Sequence, residues 1–174
     1  MIDKILIIIW FILRPKFYLH FFSLIYRKFL FDHDTYLKRA EAHKWASDNA
    51  ITYSNALKKL NLAGLTTGLD NNTINESRKL EAMSSQKMGG AANIHLLYDC
   101  VKLIKAQNVI ETGVAYGWSS LAILKALFEM KSGKLISVDM PYPRKKNYSD
   151  IGIVVPEYLK KNWILIRKPD RPGI

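Results

Sequence analysis

Two carboxylates flank a glycine-bearing segment in the middle of the chain. Glu111 follows the β-branched residues Val109 and Ile110, and Asp139 ends a second apolar run. The segment 113–117 between them carries two glycines. One carboxylate accepts hydrogen bonds from two neighbouring hydroxyls, and glycine lets a ligand lie against the backbone. These residue types at this spacing indicate a site for a nucleoside-bearing cofactor.

A strand, a turn and a helix must position the first of these groups. The β-branched pair before Glu111 predicts a short buried strand, and Gly113 permits a tight turn with positive φ. An apolar helical pattern then runs to Met130. Ser119 and Ser120 fall in its first turn, where their hydroxyls and the free N–H groups can serve a ligand.

The chain continues with elements that complete a parallel α/β arrangement. A second strand is predicted over Leu135–Asp139, a short helix around 156–161, and a third strand over Trp163–Ile166. Because strands alternate with helical segments, we predict an α/β fold with a Rossmann-like parallel sheet. A helical N-terminal region precedes it.

The central segment resembles a known cofactor motif. Glu111-x-Gly113-x-Ala115-x-Gly117 resembles motif I of the class I S-adenosylmethionine-dependent methyltransferases, E/D-x-G-x-G-x-G, with one Gly replaced by Ala. The likeness covers about residues 85–166 and extends to a bacterial branch of small-molecule methyltransferases. The residues that carry the likeness to this branch are Lys87–Asn93, Leu96–Tyr98, Val109–Leu124, Val138–Pro141 and Ile151–Pro156.

The resemblance implies S-adenosylmethionine as the cofactor and a small molecule or saccharide as the methyl acceptor. Six positions are implied at the cofactor: Glu111, Gly113, Ala115, Tyr116, Gly117 and Asp139. Glu111 would contact the methionine amino end, mostly through water and backbone, the turn would wrap the ligand, and Asp139 would bind the ribose. Gly89 and Gly90 would approach the same cleft. The sequence assigns no catalytic residue.

Two other functions stay open. A nicotinamide-dependent oxidoreductase would place G-x-G-x-x-G at Gly113, Ala115 and Trp118, and tryptophan fits the third position poorly. The other alternative is an inactive, truncated protein associated with a membrane. The family resemblance implies seven strands, whereas three are predicted here. We therefore expect either a chain that lacks the C-terminal half of the fold or a half-sheet that another chain completes, and the catalytic activity stays open.

The sequence predicts three regions along the chain. Residues 1–31 form an apolar and aromatic arm, 32–90 a helical cap region, and 91–174 the partial Rossmann-like domain. The apolar run in the arm is shorter than the roughly 20 residues that span a bilayer. The arm is interpreted either as an interfacial membrane element or as a helical arm packed on the main domain or a second subunit.

Helix starts are predicted within the cap region from capping residues. Asp32 or Asp34 can cap a first helix. Thr73 and Glu76 form a capping box, which predicts a helix from Thr73 to about Lys87.

Composition narrows the functional classes further. The formal charge of +11 is compatible with an anionic surface or with a solvated lysine-rich one. The chain lacks an aromatic stacking platform of known spacing, so we predict no specific nucleic-acid partner. The histidines show no metal-ligand spacing, and no metal site is predicted. A single cysteine fits a cytoplasmic location, with the inner membrane face and homo-oligomerisation left open. Asp150, Glu157 and Asp170 are expected to be surface charges.

Overall fold

The computed structural model describes residues 2–30, 36–62, 64, 67–141 and 148–169. Within these ranges the chain divides into two units. The first holds the helices up to Thr52, and the second, from Tyr53 onward, holds the remaining helices and the sheet.

The first unit is helical and begins with the apolar run. Its elements are α1 (Ile2–Ile12), a 3₁₀ turn (Pro15–Phe17), α2 (Tyr18–Leu30) and α3 (Tyr36–Asn49). Proline ends α1 because it cannot continue the helical hydrogen bonding, and it suits the first position of the turn that follows. Asp32 and Asp34, the predicted caps, lie outside the described residues.

Aromatic packing fixes the junction between α1 and α2. Trp10, Phe11 and Phe17 are buried there. The Trp10 and Phe17 rings stack with centroids 5.3 Å apart, and Phe11 lies 5.0 Å from Phe21. Within the part of the chain that the structure describes, no individual helix could cross a bilayer. Ile5–Ile12 and Pro15–Arg27 together have sufficient length and apolar character, but they meet at 110°.

The second unit starts with three helices, α4 (Tyr53–Lys59), α5 (Asn71–Ala82) and α6 (Ile94–Leu103). The predicted capping box on α5 is wrong. Asp70 is the N-cap, and its carboxylate accepts hydrogen bonds from the Thr73 amide at 2.8 Å and hydroxyl at 2.7 Å. Asp70 lies three residues before Thr73, as a cap requires, so Thr73 belongs to the first turn. The helix also ends at Ala82, short of Lys87.

The sheet is parallel, as predicted. Its elements are β1 (Asn108–Thr112), α7 (Trp118–Glu129), β2 (Lys134–Val138) and β3 (Trp163–Ile166). The strands pair in parallel in the order β1-β2-β3, and a 3₁₀ helix (Glu157–Asn162) leads into β3. The Rossmann-like α/β prediction is confirmed.

Helix α7 forms the centre of the hydrophobic core. Leu121, Leu124 and Leu127 are fully buried on it, together with Leu135 of β2. Complete burial of a leucine stabilises the fold by about 1.5–3 kcal/mol, so α7 is firmly fixed against the sheet. Its N-terminus meets the turn that follows β1. The packing of α7 therefore positions that turn.

The opposite face of the sheet carries an apolar row. Ile110, Ile136 and Ile164 are register partners on adjacent strands. Ile110 and Ile164 are both exposed.

Candidate functional site

The turn between β1 and α7 has an unusual backbone. Gly113, Ala115 and Gly117 all have positive φ, at 76°, 50° and 92°. A left-handed alanine costs roughly 1 kcal/mol and persists where its surroundings hold it. Here the Ala115 carbonyl accepts a hydrogen bond from the Gly152 amide at 2.9 Å, and the Gly113 amide donates to Val138 at 2.8 Å. The turn is therefore fixed by β2 on one side and by the segment around Gly152 on the other.

The two glycines of the turn face different surroundings. A Cβ at Gly113 would meet no atom within 4 Å, and the residue is exposed. A Cβ at Gly117 would lie 2.8 Å from Cα of Gly152 and 3.2 Å from Cγ2 of Val155. Gly117 is therefore required for packing, whereas Gly113 presents open backbone where a ligand can approach.

Asp139 lies at the carboxyl end of β2, beside this open backbone. Its Oδ1 accepts a hydrogen bond from the Val114 amide at 3.2 Å, and the carboxylate is buried. Its Oδ2 accepts a hydrogen bond from Nη1 of Arg167 at 2.6 Å. Each carboxylate oxygen offers about two acceptor positions, so each retains one. By this count the Asp139 carboxylate has the capacity for two further hydrogen bonds.

Glu111 is enclosed by serine hydroxyls. Ser119 donates to its Oε1 at 2.5 Å, while Ser120 and Ser137 donate to its Oε2 at 2.6 Å and 2.7 Å. Ser119 and Ser120 belong to the first turn of α7, where the helix dipole favours a carboxylate. Glu111 thereby joins β1 to β2 and to the start of α7. The hydroxyls of Ser119 and Ser120, for which the sequence predicted a role in ligand binding, donate to this carboxylate instead.

The Glu111 network continues to the third strand. Trp163 Nε1 donates to Ser137 Oγ at 2.7 Å, and Ser137 in turn donates to Glu111. The Trp163 ring also explains Gly152, because a Cβ there would lie 2.2 Å from Cη2 of Trp163. A single chain of contacts therefore links all three strands to the segment that supports the turn.

Tyr116 connects the turn to the segment after α5. Its hydroxyl donates to the Gln86 carbonyl at 2.5 Å and accepts from the Met88 amide at 3.1 Å. Gly89 and Gly90 follow directly, are exposed, and have open space where a Cβ would stand. The ring of Tyr116 is buried, and its hydroxyl holds residues 86–88 at the turn.

The surface position expected for Asp150 is wrong. Its carboxylate is buried and accepts hydrogen bonds from Ser84 Oγ at 2.9 Å and from the Ser85 amide at 3.2 Å. The partners lie some 65 residues earlier, so no local pattern reveals them. Glu157 is exposed as expected, and Asp170 lies outside the described residues.

Sequence reasoning missed two residues of the site, Ser137 and Arg167. Arg167 directly follows β3, and the carboxyl ends of parallel strands meet at one edge of the sheet. Its position at a strand end could therefore have predicted that it lies at the site. Ser137 was harder to predict, because the only indication was a polar residue inside an apolar strand.

The described residues hold no metal cluster, and a large cavity lies away from this edge of the sheet. The described residues contain no group of three or more His, Cys, Asp or Glu that could hold a metal ion. A cavity of about 500 Å³ is lined by Phe128, Glu129, Lys131, Lys161 and Asn162. It lies at the opposite end of α7 from the turn.

Comparison with known proteins gives a distant structural likeness. No family model and no curated protein matches the chain. It is similar to an SAH-bound methyltransferase from Podospora anserina, with 12% identity and a TM-score of 0.44, over 69% of this chain and 52% of that one. It is also similar to an O-methyltransferase from Bacillus cereus in complex with SAH, with 15% identity and a TM-score of 0.40. That match covers 75% of this chain and 49% of the other. The chain thus spans about half the length of these proteins, and we draw the functional conclusion from the site itself.

Proposed function

We propose that the second unit binds S-adenosylmethionine at the turn 113–117 and forms the cofactor-binding part of a methyltransferase. The observation that carries this proposal is the hydrogen bond from the Val114 amide to Asp139 Oδ1. It brings the acid after β2 to the exposed backbone of Gly113. A carboxylate and an open turn are thus adjacent at the carboxyl edge of a parallel sheet, where such folds bind ligands.

The residues present fit this cofactor. Asp139 retains an acceptor position on each oxygen for the two neighbouring ribose hydroxyls. The backbone at Gly113 is exposed and open to an approaching ligand, which suits the methionine part, since that part carries no pyrophosphate. When bound, the cofactor supplies an electrophilic methyl group, which passes to a nucleophilic O, N or C atom while the sulfonium sulfur keeps the electron pair of the broken bond.

The other residues of the site act by holding these groups in place. Glu111 fixes the first turn of α7 through Ser119 and Ser120. Tyr116 anchors residues 86–88 at the turn, which supports the proposal that the adjacent Gly89 and Gly90 approach the bound cofactor. Preorganised contacts of this kind let binding energy position the cofactor, which is the main contribution a protein makes to methyl transfer.

A dinucleotide site is less compatible with the start of α7. The third glycine of G-x-G-x-x-G allows the helix and strand to approach closely. Trp118 occupies that position here and is buried in the hydrophobic core. A side chain of this size does not suit a position where helix and strand must approach closely. The methyl acceptor is proposed, on the family resemblance, to be a small molecule or saccharide.

Calorimetry of the full chain with S-adenosylhomocysteine and with NADH tests the proposal. We expect saturable binding of S-adenosylhomocysteine by the wild-type chain and no heat of binding from NADH. Asp139→Ala should weaken the binding of S-adenosylhomocysteine at least tenfold, because two hydrogen bonds to a charged acceptor are lost. Glu157→Gln removes an exposed carboxylate and serves as the matched control. Binding of NADH alone would overturn the proposal, and unchanged affinity in Asp139→Ala would remove the ribose assignment.

A further inference from the structure

We propose that α1 and α2 form a bent helical pair that docks on an anionic lipid surface and holds the protein there. This inference concerns the first unit alone. It does not depend on the function proposed for the second.

Apolar side chains are exposed all round α1. The five consecutive residues Ile5–Ile9 are each between 36% and 51% exposed. Successive helical residues point about 100° apart, so five of them cover the whole circumference. A helix that docks on protein needs one apolar stripe, whereas a helix that is apolar on every side suits hydrocarbon.

Helix α2 carries its most exposed apolar side chains in one stripe, although Leu24 on another face is also 41% exposed. Among the described large apolar residues of α2, those of the stripe are the most exposed: Leu19, Phe22, Tyr26 and Phe29, with Leu19 at 87% and Phe29 at 82%. Their spacing of three, four and three residues puts them on one face. An amphipathic helix of this kind lies in the plane of a membrane interface with its apolar face inward.

The backbone carbonyls at the end of α1 find their partners within the protein. The last four carbonyls of a helix have no intrahelical partner, and in an apolar medium each unsatisfied group is costly. The Ile9 and Phe11 carbonyls accept from the Leu13 and Arg14 amides at 3.1 Å and 2.9 Å.

Side chains bind the other two carbonyls. Arg14 Nη1 donates to the Trp10 carbonyl at 3.2 Å, and the Tyr18 hydroxyl donates to the Ile12 carbonyl at 2.7 Å. The Arg14 guanidinium also lies over the Trp10 ring, 4.5 Å from its centroid. All four terminal carbonyls of α1 are therefore satisfied by the protein itself, which allows this bend to enter the lipid boundary.

Charge identifies the kind of surface. Residues 4–31 include Lys4, Arg14, Lys16, Arg27 and Lys28 but no Asp or Glu. Cations beside an apolar surface bind anionic headgroups and contribute about 1 kcal/mol each. A second copy of the same arm would bring like charges together, which favours lipid over self-association.

Flotation of the full chain with vesicles of phosphatidylcholine, with and without phosphatidylglycerol, tests this inference. We expect recovery with the anionic vesicles and weaker recovery at high salt. The double substitution Leu19→Ser/Phe29→Ser in the stripe should weaken partitioning of the protein onto vesicles by about a hundredfold, because two large apolar side chains no longer enter the lipid. Ile104→Ser, which changes an exposed apolar residue outside the arm, is the matched control.

A second pair of substitutions separates charge from apolar burial. Lys16→Gln/Arg27→Gln should reduce partitioning on the anionic vesicles by about thirtyfold and leave the neutral vesicles unaffected. The inference is wrong if the wild-type chain stays with the soluble fraction, or if the stripe variant floats as well as the control. Arms protected from protease in a lipid-free dimer would instead identify a second copy as the occupant.

Discussion

Arg167 Nη1 lies 2.6 Å from Oδ2 of Asp139, so the residue that follows β3 holds the acid that follows β2. The Asp139 side chain is 6% exposed and that of Arg167 27%. The ion pair is therefore largely shielded from solvent. It balances the charge of a carboxylate that we assign to ligand binding.

Removing the cation should destabilise the second unit. Arg167→Gln leaves a buried carboxylate without its charge partner, and we expect a loss of about 2 kcal/mol in the free energy of unfolding. Asp139→Asn/Arg167→Gln should lose less than the sum of the two single variants, because the uncompensated charge is gone. Urea denaturation of the four proteins measures the coupling, and strictly additive losses would show that the two residues stabilise the fold independently.

Glu111 should matter chiefly for the stability of the turn. Glu111→Ala removes the acceptor of three hydroxyls, two of them on fully buried serines, Ser120 and Ser137. A buried polar group left without a partner costs about 1–3 kcal/mol, so thermal unfolding should begin at a clearly lower temperature. Glu81→Ala, on α5, is a control for loss of a carboxylate elsewhere. A melting temperature equal to that of the control would show that the serine network contributes nothing.

The two glycines of the turn should respond differently to alanine. Gly117→Ala places a Cβ 2.8 Å from backbone Cα of Gly152 at a strained φ, so it should lower stability by about 2 kcal/mol or more. Gly113→Ala meets open space, and its cost should be limited to about 1 kcal/mol of backbone strain. Ligand affinity should fall in Gly113→Ala, where the new methyl group occupies the approach to the turn. Equal destabilisation by both substitutions would contradict the assignment of Gly117 to packing.

A cluster between α6 and α7 should give a pH dependence. Burial alone would raise the pKa of Glu129, but hydrogen bonds from Tyr98 and Lys102 outweigh it and the pKa is lowered. Stability from the ionised group is therefore present above the ordinary pKa of about 4.3 and is lost as pH falls through the lowered folded-state value. Glu129→Gln should be less stable by under about 1 kcal/mol at pH 7, since the side chain is a third exposed. Urea unfolding at pH 7 and pH 3 should show the difference becoming smaller in acid, and a difference that grows in acid would be inconsistent with the lowered pKa.

Local patterns were sufficient to predict the strands, the turn and α7. Glu111, Gly113 and Asp139 lie at the ends of short apolar runs, and strand-end positions follow from the alternation of strands and helices. The same alternation predicted parallel strands, whereas the order β1-β2-β3 was not predicted.

Contacts between distant segments could not be predicted in this way. The burial of Asp150 depends on Ser84 and Ser85, and the enclosure of Glu111 depends on Ser137 of another strand. Sequence periodicity reports which face of an element is apolar, but it does not report which polar residue on that face finds a partner. Gly113 and Gly117 are likewise indistinguishable in the sequence, and only tertiary packing shows that Gly117 is enclosed while Gly113 is open.

We propose that the cofactor binds at the turn after β1, and photochemical cross-linking locates the bound cofactor most directly. The full chain would be irradiated with radiolabelled S-adenosylmethionine, digested, and the labelled peptide sequenced by mass spectrometry. We predict saturable labelling that maps to the turn or to the end of β2, within residues 111–139, and that excess S-adenosylhomocysteine suppresses. Labelling that is confined to other segments, or labelling that does not saturate, would contradict binding of the cofactor at this turn.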